Sequence, residues 1–578
     1  MTSALFLSLA LSVVSSDPIA PPPKVPIAFN RLYDYPELEQ ALRALVAGHP
    51  DVLSLSSLGK SVEGREIWCV TINNPKTGPD RSKPAMYVDG NVHGNEVQAA
   101  EACLYLIWYL AENRDRVDAI KTLLAEKSFY VVPTVNPDGR AWWFNGPNTT
   151  NSSRSGKSPR DDDRDGLFDE DGYDDLDGDG QILQMRRKDP NGRYKVSSED
   201  SRLHVLVKPG EKGEYELLGM EGIDNDGDGQ INEDAPGGYD MNRNYPADWQ
   251  PNYLQGGAGD FPLSWPETRG VSAFIRDHPN IAGVQSFHNA GGMILRGPGA
   301  STREGQIEPR DEAISKAIGE TGARMLPFYR NFVIYKDLYS VHGGFVNWTY
   351  EHMGIFSFTN ELWNNDQLLT ARPEPEDTSR PRSRSRGAGE DDELFANDRL
   401  LFNAFKPWKP FKHPFYGDIE LGGSVKQSDR VPPSFMLEEL CHRNAAFCIY
   451  HADQMPKVVF NEVKSEPLGN GLFAVTVTLK NLKSIPSIAG QAARRKIGMP
   501  DTLTITGDGL EVLAGGALVS RDTGEIRAVP RNPAALTLES GIGAEIVRYR
   551  WLVKGTGEAK VTYSSQKAGT KDATVSVK

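Results

Sequence analysis

Two histidines and a glutamate stand where they could hold a metal ion. His93 and Glu96 are three residues apart, at the expected turn from a strand into a helix, and His288 ends another expected strand far along the chain. Zinc binds nitrogen and oxygen ligands of this kind and, in catalytic sites, keeps one position open for water. A single histidine carries little information because the chain has ten, so the prediction depends on the residues that accompany these three.

A second carboxylate and a cation accompany the metal candidates. Glu361 lies within the apolar segment Ile355–Leu362, where burying an unpaired carboxylate would be costly, so a functional role is favoured. A positioned carboxylate can take a proton from water as a general base. Arg243 follows Asn242, and a guanidinium can hold a carboxylate through two parallel hydrogen bonds. These residue types predict metal-assisted hydrolysis of a substrate with an anionic group.

The elements that must position these side chains alternate between strands and helices. The strand Ala85–Val92 leads to His93, and the strand Ile281–Phe287 leads to His288. The segment Ile355–Leu362 is a further strand, and patterns of helical period separate the strands. Such alternation is typical of an α/β domain, in which sites assemble at the carboxyl ends of the strands. We expect this catalytic domain over residues 25–455.

The remaining residues, 456–578, have a different character. They contain no histidine or cysteine, which excludes imidazole or thiolate metal chemistry there. Several segments alternate apolar and polar residues with period two between turns rich in Gly, Pro and Asn, which indicates an all-β sandwich used as an accessory domain. These segments are Leu472–Leu479, Ile546–Val553, Ala559–Tyr563 and Ala573–Val577.

An acidic insertion over residues 146–238 interrupts the α/β pattern. The formal net charge of −14 is concentrated in Asp161–Asp179, with eleven acids and one arginine, and in Asp224–Asp234, with five acids and no base. Nothing in this distribution suggests a nucleic-acid partner. Three copies of Asp-x-Asp-x-Asp-Gly, each with an apolar residue at position 8, resemble the first half of an EF-hand calcium loop. Their acids are Asp161, Asp163 and Asp165; Asp175, Asp177 and Asp179; and Asp224, Asp226 and Asp228.

These loops are not complete EF-hands. Position 12 is Gly172, Arg186 or Ala235 instead of glutamate. The acids of Asp169–Asp171 or Asn232–Asp234 could complete the shells. Clustered carboxylates repel one another without a cation, so we expect structural Ca²⁺. The bound Ca²⁺ would also position Asn242 and Arg243, which follow the last loop and are the candidate residues for binding the anionic group of the substrate. The alternative is a solvated acidic loop.

The N-terminal segment predicts where the protein is located in or outside the cell. Residues 1–17 contain a short apolar run followed by small residues, as in a signal peptide, and predict a secreted or periplasmic protein; a buried N-terminal segment is the alternative. No segment is apolar enough for a membrane span, and we expect a monomer.

Residues 366–395 are charged and of low complexity, which predicts a flexible loop. Cys441 and Cys448 could form a disulfide or remain buried thiols.

The order of the motifs resembles a known family. From the first motif to the last, the chain is similar to the M14 (funnelin) zinc metallocarboxypeptidases, and its His-Gly-Asn-Glu form resembles their carboxypeptidase E/D-like branch. This resemblance implies an α/β fold with a mixed, twisted central sheet flanked by helices. The motifs are Glu63-Gly64-Arg65, His93-Gly94-Asn95-Glu96, Asn136-Pro137-Asp138-Gly139, Asn242-Arg243-Asn244, Pro266-Glu267-Thr268, Ser286-Phe287-His288, Tyr339 and Glu361.

The resemblance also implies the roles of the metal and the base. His93, Glu96 and His288 would bind one catalytic Zn²⁺ per chain. Glu361 would be the general base for a zinc-activated water that hydrolyses the C-terminal bond of peptides or proteins. The implied function is therefore that of an exported zinc metallocarboxypeptidase.

Substrate contacts are implied in the same way. Asn242 and Arg243 would hold the terminal carboxylate, and Tyr339 would close over the substrate. The family also places an arginine beside the scissile carbonyl, where it stabilises the oxyanion. The candidates are Arg186 and Arg187. Adjacent side chains of an extended segment point in opposite directions, so only one of the two should enter the site; Arg186 is our choice, with Arg187 as the alternative.

Val346 lies where the family tunes the pocket for the last substrate residue. An acid there would select Lys or Arg, so valine favours neutral or apolar ends, with a preference for basic ends as the alternative. Two other functions remain open: a related hydrolase of cell-wall peptides or an amidohydrolase, and a non-catalytic, calcium-dependent binding protein. The presence of Arg243 and Tyr339 argues against the first, and the intact Glu361 and metal ligands argue against the second.

Overall fold

A computed structural model of the 578-residue chain describes residues 22–152, 159, 161, 164–234, 237–364, 368, 389–428 and 430–578. The expected signal peptide over residues 1–17 lies outside the described residues, as does most of the expected flexible loop. The structure corrects the end of that loop, because Gly389–Arg399 is helical. Among the described helices, none is both long enough and apolar enough to cross a bilayer.

Helices and strands follow in four groups along the chain. Before the insertion come α1 (Tyr35–Gly48), β1 (Leu53–Lys60), β2 (Glu66–Ile72), β3 (Ala85–Gly90), α2 (Gln98–Asn113), α3 (Asp118–Glu126), β4 (Ser128–Val132) and α4 (Pro137–Asn145). The insertion contributes β5 (Gln184–Lys188), β6 (Tyr194–Val196), β7 (His204–Leu206) and β8 (Tyr215–Met220). Next are α5 (Pro266–Asp277), β9 (Ile281–Asn289), β10 (Met293–Arg296), α6 (Pro309–Met325), β11 (Arg330–Val333), α7 (Phe345–Met353), β12 (Phe356–Leu362), α8 (Gly389–Arg399), β13 (Phe405–His413), β14 (Gly417–Ser424) and α9 (Ser434–Asp453). The last group is β15 (Val458–Gly469), β16 (Leu472–Asn481), α10 (Gly490–Arg495), β17 (Asp501–Thr506), β18 (Glu511–Leu518), β19 (Ile526–Ala528), β20 (Ala535–Leu538), β21 (Val547–Lys554), β22 (Gly557–Ser565) and β23 (Gly569–Val577).

The main sheet is mixed and has eight strands in the order β1-β2-β4-β3-β9-β12-β10-β11. Its central strands β4, β3, β9 and β12 run parallel, and antiparallel strands flank them. The central strands are buried along nearly their whole length, as expected where helices cover both faces of a parallel sheet. This confirms the expected α/β fold with a mixed central sheet.

Strand register brings the carboxyl ends of three neighbouring strands together. Gly90 at the end of β3 pairs with Phe287 of β9, and His288 pairs with Glu361 of β12. Residues that follow or end these strands therefore lie side by side at one edge of the sheet. Two strands that are distant in sequence thus place an imidazole and a carboxylate next to each other.

Helix α4 begins within the motif Asn136-Pro137-Asp138-Gly139. The Asn136 side chain accepts a hydrogen bond from Gly139 N at 2.8 Å, and Pro137 occupies the first helical position. Asparagine as N-cap and proline at the first position both favour the start of a helix. The motif therefore marks the start of a helix.

Two further groups of strands surround this core. A six-stranded sheet, β13-β14-β5-β8-β6-β7, joins the strands of the insertion to two strands that follow the main sheet in the chain. Near the C-terminus, the sheets β15-β16-β21-β18-β19 and β20-β17-β22-β23 share one apolar core, an arrangement of the β-sandwich type. The strand pairings recorded within these three sheets are antiparallel.

Buried polar contacts hold the sandwich against the α/β core. Lys127 Nζ donates to the main-chain oxygens of Met455 and Pro456, at 3.2 and 2.7 Å, where the chain passes between the two units. The Asp311 carboxylate accepts from the main-chain N–H groups of residues 490 and 491, each at 2.9 Å. Burial lowers the pKa of Lys127 to about 7.

The four cysteines are buried free thiols, so Cys441 and Cys448 form no disulfide.

Candidate metal centre and substrate cavity

The three predicted metal ligands converge at the carboxyl edge of the main sheet. His93 Nδ1 lies 3.0 Å from Glu96 Oε1, and His288 Nδ1 lies 2.9 Å from Glu96 Oε2. The two imidazole Nδ1 atoms are 3.2 Å apart. All three side chains are buried, so the structure brings together residues that the chain places far apart.

The cluster fits a divalent cation in spacing and in chemistry. Ligand atoms about 2.0–2.2 Å from a tetrahedral zinc lie about 3.3 Å from one another, close to the observed 2.9–3.2 Å. Burial raises the pKa of the Glu96 carboxyl, but His93 and His288 outweigh it and hold this pKa well below its ordinary value. A buried carboxylate facing two imidazole nitrogens is therefore ready to ligate a metal.

Two outer groups orient the imidazoles. Asp240 Oδ1 lies 2.9 Å from His93 Nε2, and Ser286 Oγ lies 3.2 Å from His288 Nε2. An outer carboxylate fixes the tautomer of a ligating histidine and leaves its other nitrogen for the metal. Asp240 Oδ1 also accepts from the N–H of Asn242 at 2.8 Å, so one side chain connects the metal cluster with the turn that carries Asn242 and Arg243. Sequence reasoning missed Asp240, whose only signal was its place two residues before Asn242.

Glu361 faces the same point from β12. It is the parallel register partner of His288, and it lines one cavity with His93 and His288. Burial, followed by the charge of Glu96, raises the pKa of the Glu361 carboxyl. A carboxyl with a raised pKa is a stronger base, which suits proton transfer near neutral pH.

Arg430 is the arginine that reaches this cluster. Its Nη2 lies 3.3 Å from Glu96 Oε1, and its Nε and Nη2 donate to Asn289 Oδ1 at 3.1 and 2.8 Å. Its charge acts on Glu361 and opposes the effect of burial on that pKa. Arg430 comes after all the ordered motifs, so motif order gave no signal for it.

Arg186 is held elsewhere, in the six-stranded sheet. Its Nε donates to Glu420 Oε2 at 2.6 Å, its Nη1 lies 2.8 Å from His204 Nε2, and its guanidinium stacks on the rings of Tyr215 and Trp408. These contacts occupy the guanidinium. We therefore correct the expectation that Arg186 faces the scissile bond: the pairing of β5 with β8 and β14, which the sequence did not predict, directs it to this second cluster.

Asn242, Arg243 and Tyr339 meet at the wall of the cavity. Arg243 Nη2 donates to Tyr339 Oη at 3.3 Å, and Arg243 Nη1 donates to the Asn242 main-chain oxygen at 2.8 Å. Asn242 Oδ1 accepts from Phe345 N at 2.8 Å, which fixes the turn against α7. Tyr339 is 40% exposed, so its ring lies at the surface. The three residues place N–H and O–H donors where a carboxylate could bind.

Apolar side chains form much of the rest of this cavity, together with Gly344, Asn347 and Thr359. Val346 of α7 is buried and contributes to the wall. Among the described residues that line the cavity, Glu361 is the one acid. A lining of this kind suits an apolar or neutral side chain. The other apolar lining residues are Leu295, Ile334, Leu338 and Val341.

The second and third acidic loops are closed around their first aspartates. Gly180 N donates to Asp175 Oδ2 at 2.9 Å, and Gly229 N donates to Asp224 Oδ2 at 3.0 Å. Both glycines have positive φ, +82° and +92°, which favours glycine at the sixth position. In the first loop Asp163 lies outside the described residues. Ligand atoms approach within 4.8 Å of one another in the sets Asp175, Asp177, Asp179; Asp224, Asp226, Asp228; and Asp165, Glu170, Asp226.

Sequence comparisons show that this chain is similar to zinc carboxypeptidases. A family model described as zinc carboxypeptidase matches residues 38–378, and a model of a domain of unknown function matches residues 457–576. Carboxypeptidase D of Mus musculus is 33% identical over 114 residues, 20% of this chain and 8% of that protein. Carboxypeptidase B of Astacus astacus is 32% identical over 123 residues, 21% of this chain and 38% of that protein. The chain therefore spans well under half the length of these relatives.

Solved structures with similar folds are more distant. Carboxypeptidase A from Helicoverpa armigera is 21% identical with a TM-score of 0.38, over 59% of this chain and 66% of that chain. Thrombin-activatable fibrinolysis inhibitor is 15% identical with a TM-score of 0.43, over 75% of this chain and 76% of that chain.

Proposed function

The chain belongs to the zinc carboxypeptidase family, and from this premise we propose that it removes the C-terminal residue of peptides or proteins. The observation that carries the proposal is one cavity lined by His93, His288, Glu361 and Arg243. A cation beside a hydrolytic centre selects chain ends, because only a chain end supplies a main-chain carboxylate. Tyr339, within hydrogen-bond distance of Arg243, would donate to the same substrate group.

Each residue has a role in the proposed reaction. His93, Glu96 and His288 would hold Zn²⁺, which supplies Lewis acidity and lowers the pKa of water from about 15.7 toward about 7. Glu361 accepts a proton from the attacking water on its carboxylate and delivers it to the departing amine nitrogen. Arg430 replaces Arg186 as the cation that stabilises negative charge developing on the carbonyl oxygen, which its contact with Glu96 supports.

The cavity supports a preference for apolar or neutral C-terminal residues. Val346 and its apolar neighbours would contact the last side chain, and a lysine or arginine there would be desolvated without a partner acid. A preference for basic ends is the competing expectation, and it requires an acid at this wall.

Peptides that differ only in their last residue test the proposal. Glu361→Gln should lose about 10²–10⁴ in kcat and retain its zinc, because Glu361 is not a ligand in this assignment. Glu320→Gln, on the exposed face of α6, is the matched control and should behave as wild type. Peptides with an amidated C-terminus should be poor substrates. Equal activity of wild type and Glu361→Gln, or equal cleavage of amides and free acids, would refute the assignment.

The proposal has further parts. Structural Ca²⁺ occupies the acidic insertion, residues 1–17 direct export, and the protein is a monomer with a catalytic domain over residues 25–455 and an accessory domain over residues 456–578. A related cell-wall peptide hydrolase or amidohydrolase would not need the Arg243–Tyr339 pair. A non-catalytic calcium-dependent binding protein would not need Glu361 beside the metal cluster.

A further inference from the structure

We propose that Glu221 completes a Ca²⁺ site with Asp175, Asp177 and Asp179, as the carboxylate that the loop lacks at its twelfth position. The proposal deepens the calcium part of the proposed function and rests on it. The loop has the three aspartates of a calcium loop, but its twelfth residue is Arg186. The Arg186 guanidinium is bound to Glu420 of the neighbouring strand β14. A calcium loop without a strong final carboxylate needs one from elsewhere in the fold.

Strand pairing puts Glu221 beside this loop. β5 begins two residues after Ile182, the apolar eighth position of the loop, and β8 pairs with β5 so that Gln184 is opposite Met220. The next residue continues this pairing, since Glu221 N donates to the Leu183 oxygen at 2.8 Å. Glu221 is therefore brought to the end of the loop by a strand thirty or more residues further along the chain.

The Glu221 carboxylate is buried and lacks hydrogen bonds. Its side chain is 0% exposed, and neither carboxylate oxygen has a hydrogen-bond partner among the described residues. Burial, followed by the charge of Asp177 and then, with lesser effect, those of Asp175 and Asp179, raises its pKa to about 8. The effect of these three charges, together with the main-chain bond from Glu221 N to the Leu183 oxygen, puts the carboxylate near the loop. A buried carboxylate with no partner beside three more carboxylates is the arrangement that a cation stabilises.

The chain provides little positive charge of its own here. Lys406 Nζ lies 4.0 Å from Asp179 Oδ2, and it is the one described lysine or arginine that forms an ion pair with these four acids. One half-exposed ammonium group does not balance four carboxylates. The donors are all oxygens, and Ca²⁺ takes six to eight oxygen ligands with flexible geometry, whereas zinc prefers nitrogen and sulfur.

The third loop has a carboxylate in a comparable position. Asp171, from the end of the first loop, is 0% exposed and has one oxygen, Oδ2, without a hydrogen-bond partner. Its other oxygen accepts from Asn225 Nδ2 at 3.1 Å. Ligand atoms of Asp171, Asp226 and Glu233 lie within 4.8 Å of one another. Each of these two loops thus has a buried carboxylate from another segment, which assigns two distinct Ca²⁺ sites.

Calcium binding to single variants of the full, zinc-loaded chain tests the assignment. Bound Ca²⁺ per chain is measured by equilibrium dialysis in calcium-depleted buffer with Ca²⁺ added alone. Glu221→Gln should lose one bound ion or bind it at least tenfold more weakly, and Asp171→Asn should lose a different one. Glu214→Gln, an exposed acid in the same insertion, should match wild type. An unchanged number and affinity in Glu221→Gln would overturn the role of Glu221.

Thermal unfolding is a second measurement, in which Glu221→Gln should shift the unfolding temperature in opposite directions without and with Ca²⁺. Without Ca²⁺, and at a pH above the raised pKa of Glu221 of about 8, Glu221→Gln should unfold at a higher temperature than wild type, because it removes a buried unpaired charge. With saturating Ca²⁺ it should unfold at a lower temperature, because it has lost a bound ion. A lower temperature in both conditions would mean a structural role only and would overturn the proposal.

Two outcomes separate this proposal from the one it rests on. If wild type binds no Ca²⁺, the calcium part of the proposed function fails as a whole. If Glu221→Gln does not fold, Asp177→Asn takes its place, because this side chain is exposed and belongs to the same site. Asp177→Asn must then lose the same ion, and retention of all bound ions would refute the site.

Discussion

Replacing Asp240 by alanine should weaken zinc binding and substrate binding together. Asp240 Oδ1 accepts from His93 Nε2 at 2.9 Å and from Asn242 N at 2.8 Å. The first contact orients a metal ligand, and the second holds the turn that carries Arg243. Both contacts end with the same substitution, so two properties that are measured separately should change.

The size of the effect on zinc follows from the buried His93–Asp240 contact. A hydrogen bond to a charged group contributes about 1.5–3 kcal/mol, which corresponds to about a 10- to 150-fold change in affinity. Loss of an outer-shell carboxylate is known to reduce metal affinity by about 10- to 100-fold. We expect Asp240→Ala to fall in this range and Asp240→Asn near its lower end, because asparagine keeps an oxygen acceptor but loses the charge.

Competition with a chromogenic chelator measures the zinc affinity, and KM at saturating zinc reports on the substrate turn. The matched control is Asp248→Asn, which alters another Asp–His contact, Asp248 Oδ2 to His342 Nδ1 at 2.9 Å, among residues that do not line the cavity. That variant should retain the zinc affinity of wild type. Wild-type zinc affinity in folded Asp240→Ala would refute the coupling between the outer carboxylate and the metal cluster.

Three other outcomes are expected. Arg430→Gln should lower kcat by about 10²–10³ with a small change in KM, while the control Arg324→Gln, at an exposed residue, should match wild type. An unchanged kcat in Arg430→Gln would mean that Arg430 does not stabilise the transition state. Val346→Asp should reverse the preference between peptides ending in leucine and in lysine, and an unchanged order would mean that this wall does not contact the last residue. Because burial lowers the pKa of Lys127 from 10.5 to about 7, the unfolded chain binds more protons between these values. The free energy of unfolding should therefore rise with pH across that window, by a smaller amount in Lys127→Met than in wild type or in exposed Lys121→Met, as urea titrations at several pH values would detect.

Much of the α/β core could be predicted from local pattern. The strand predicted at Ile281–Phe287 is observed as Ile281–Asn289, and the strand predicted at Ile355–Leu362 is observed as Phe356–Leu362. Such elements are long and strongly apolar, so their period is clear in the sequence. The six-stranded sheet was missed because strands such as Tyr194–Val196 and His204–Leu206 have only three residues each, too few to show a period, and β13 and β14 join the sheet from far along the chain.

The sequence by itself determined the donor types of the metal cluster, the base and the substrate cation. Zinc, water activation and carboxylate binding each demand particular side chains, and these stand in recognisable order around His93, Glu96, His288, Arg243 and Glu361. That information is local to short motifs, so it can be recognised without a fold.

Only the tertiary structure decided which other charges reach these groups. Arg430 lies at the cluster and Arg186 does not, Asp240 orients His93, and Glu221 lies near the second acidic loop. Each of these contacts joins residues that are distant in the chain, through strand pairing or loop packing. The energy of a charge depends on its neighbours and its burial, and neither is specified by the spacing of residues along the chain.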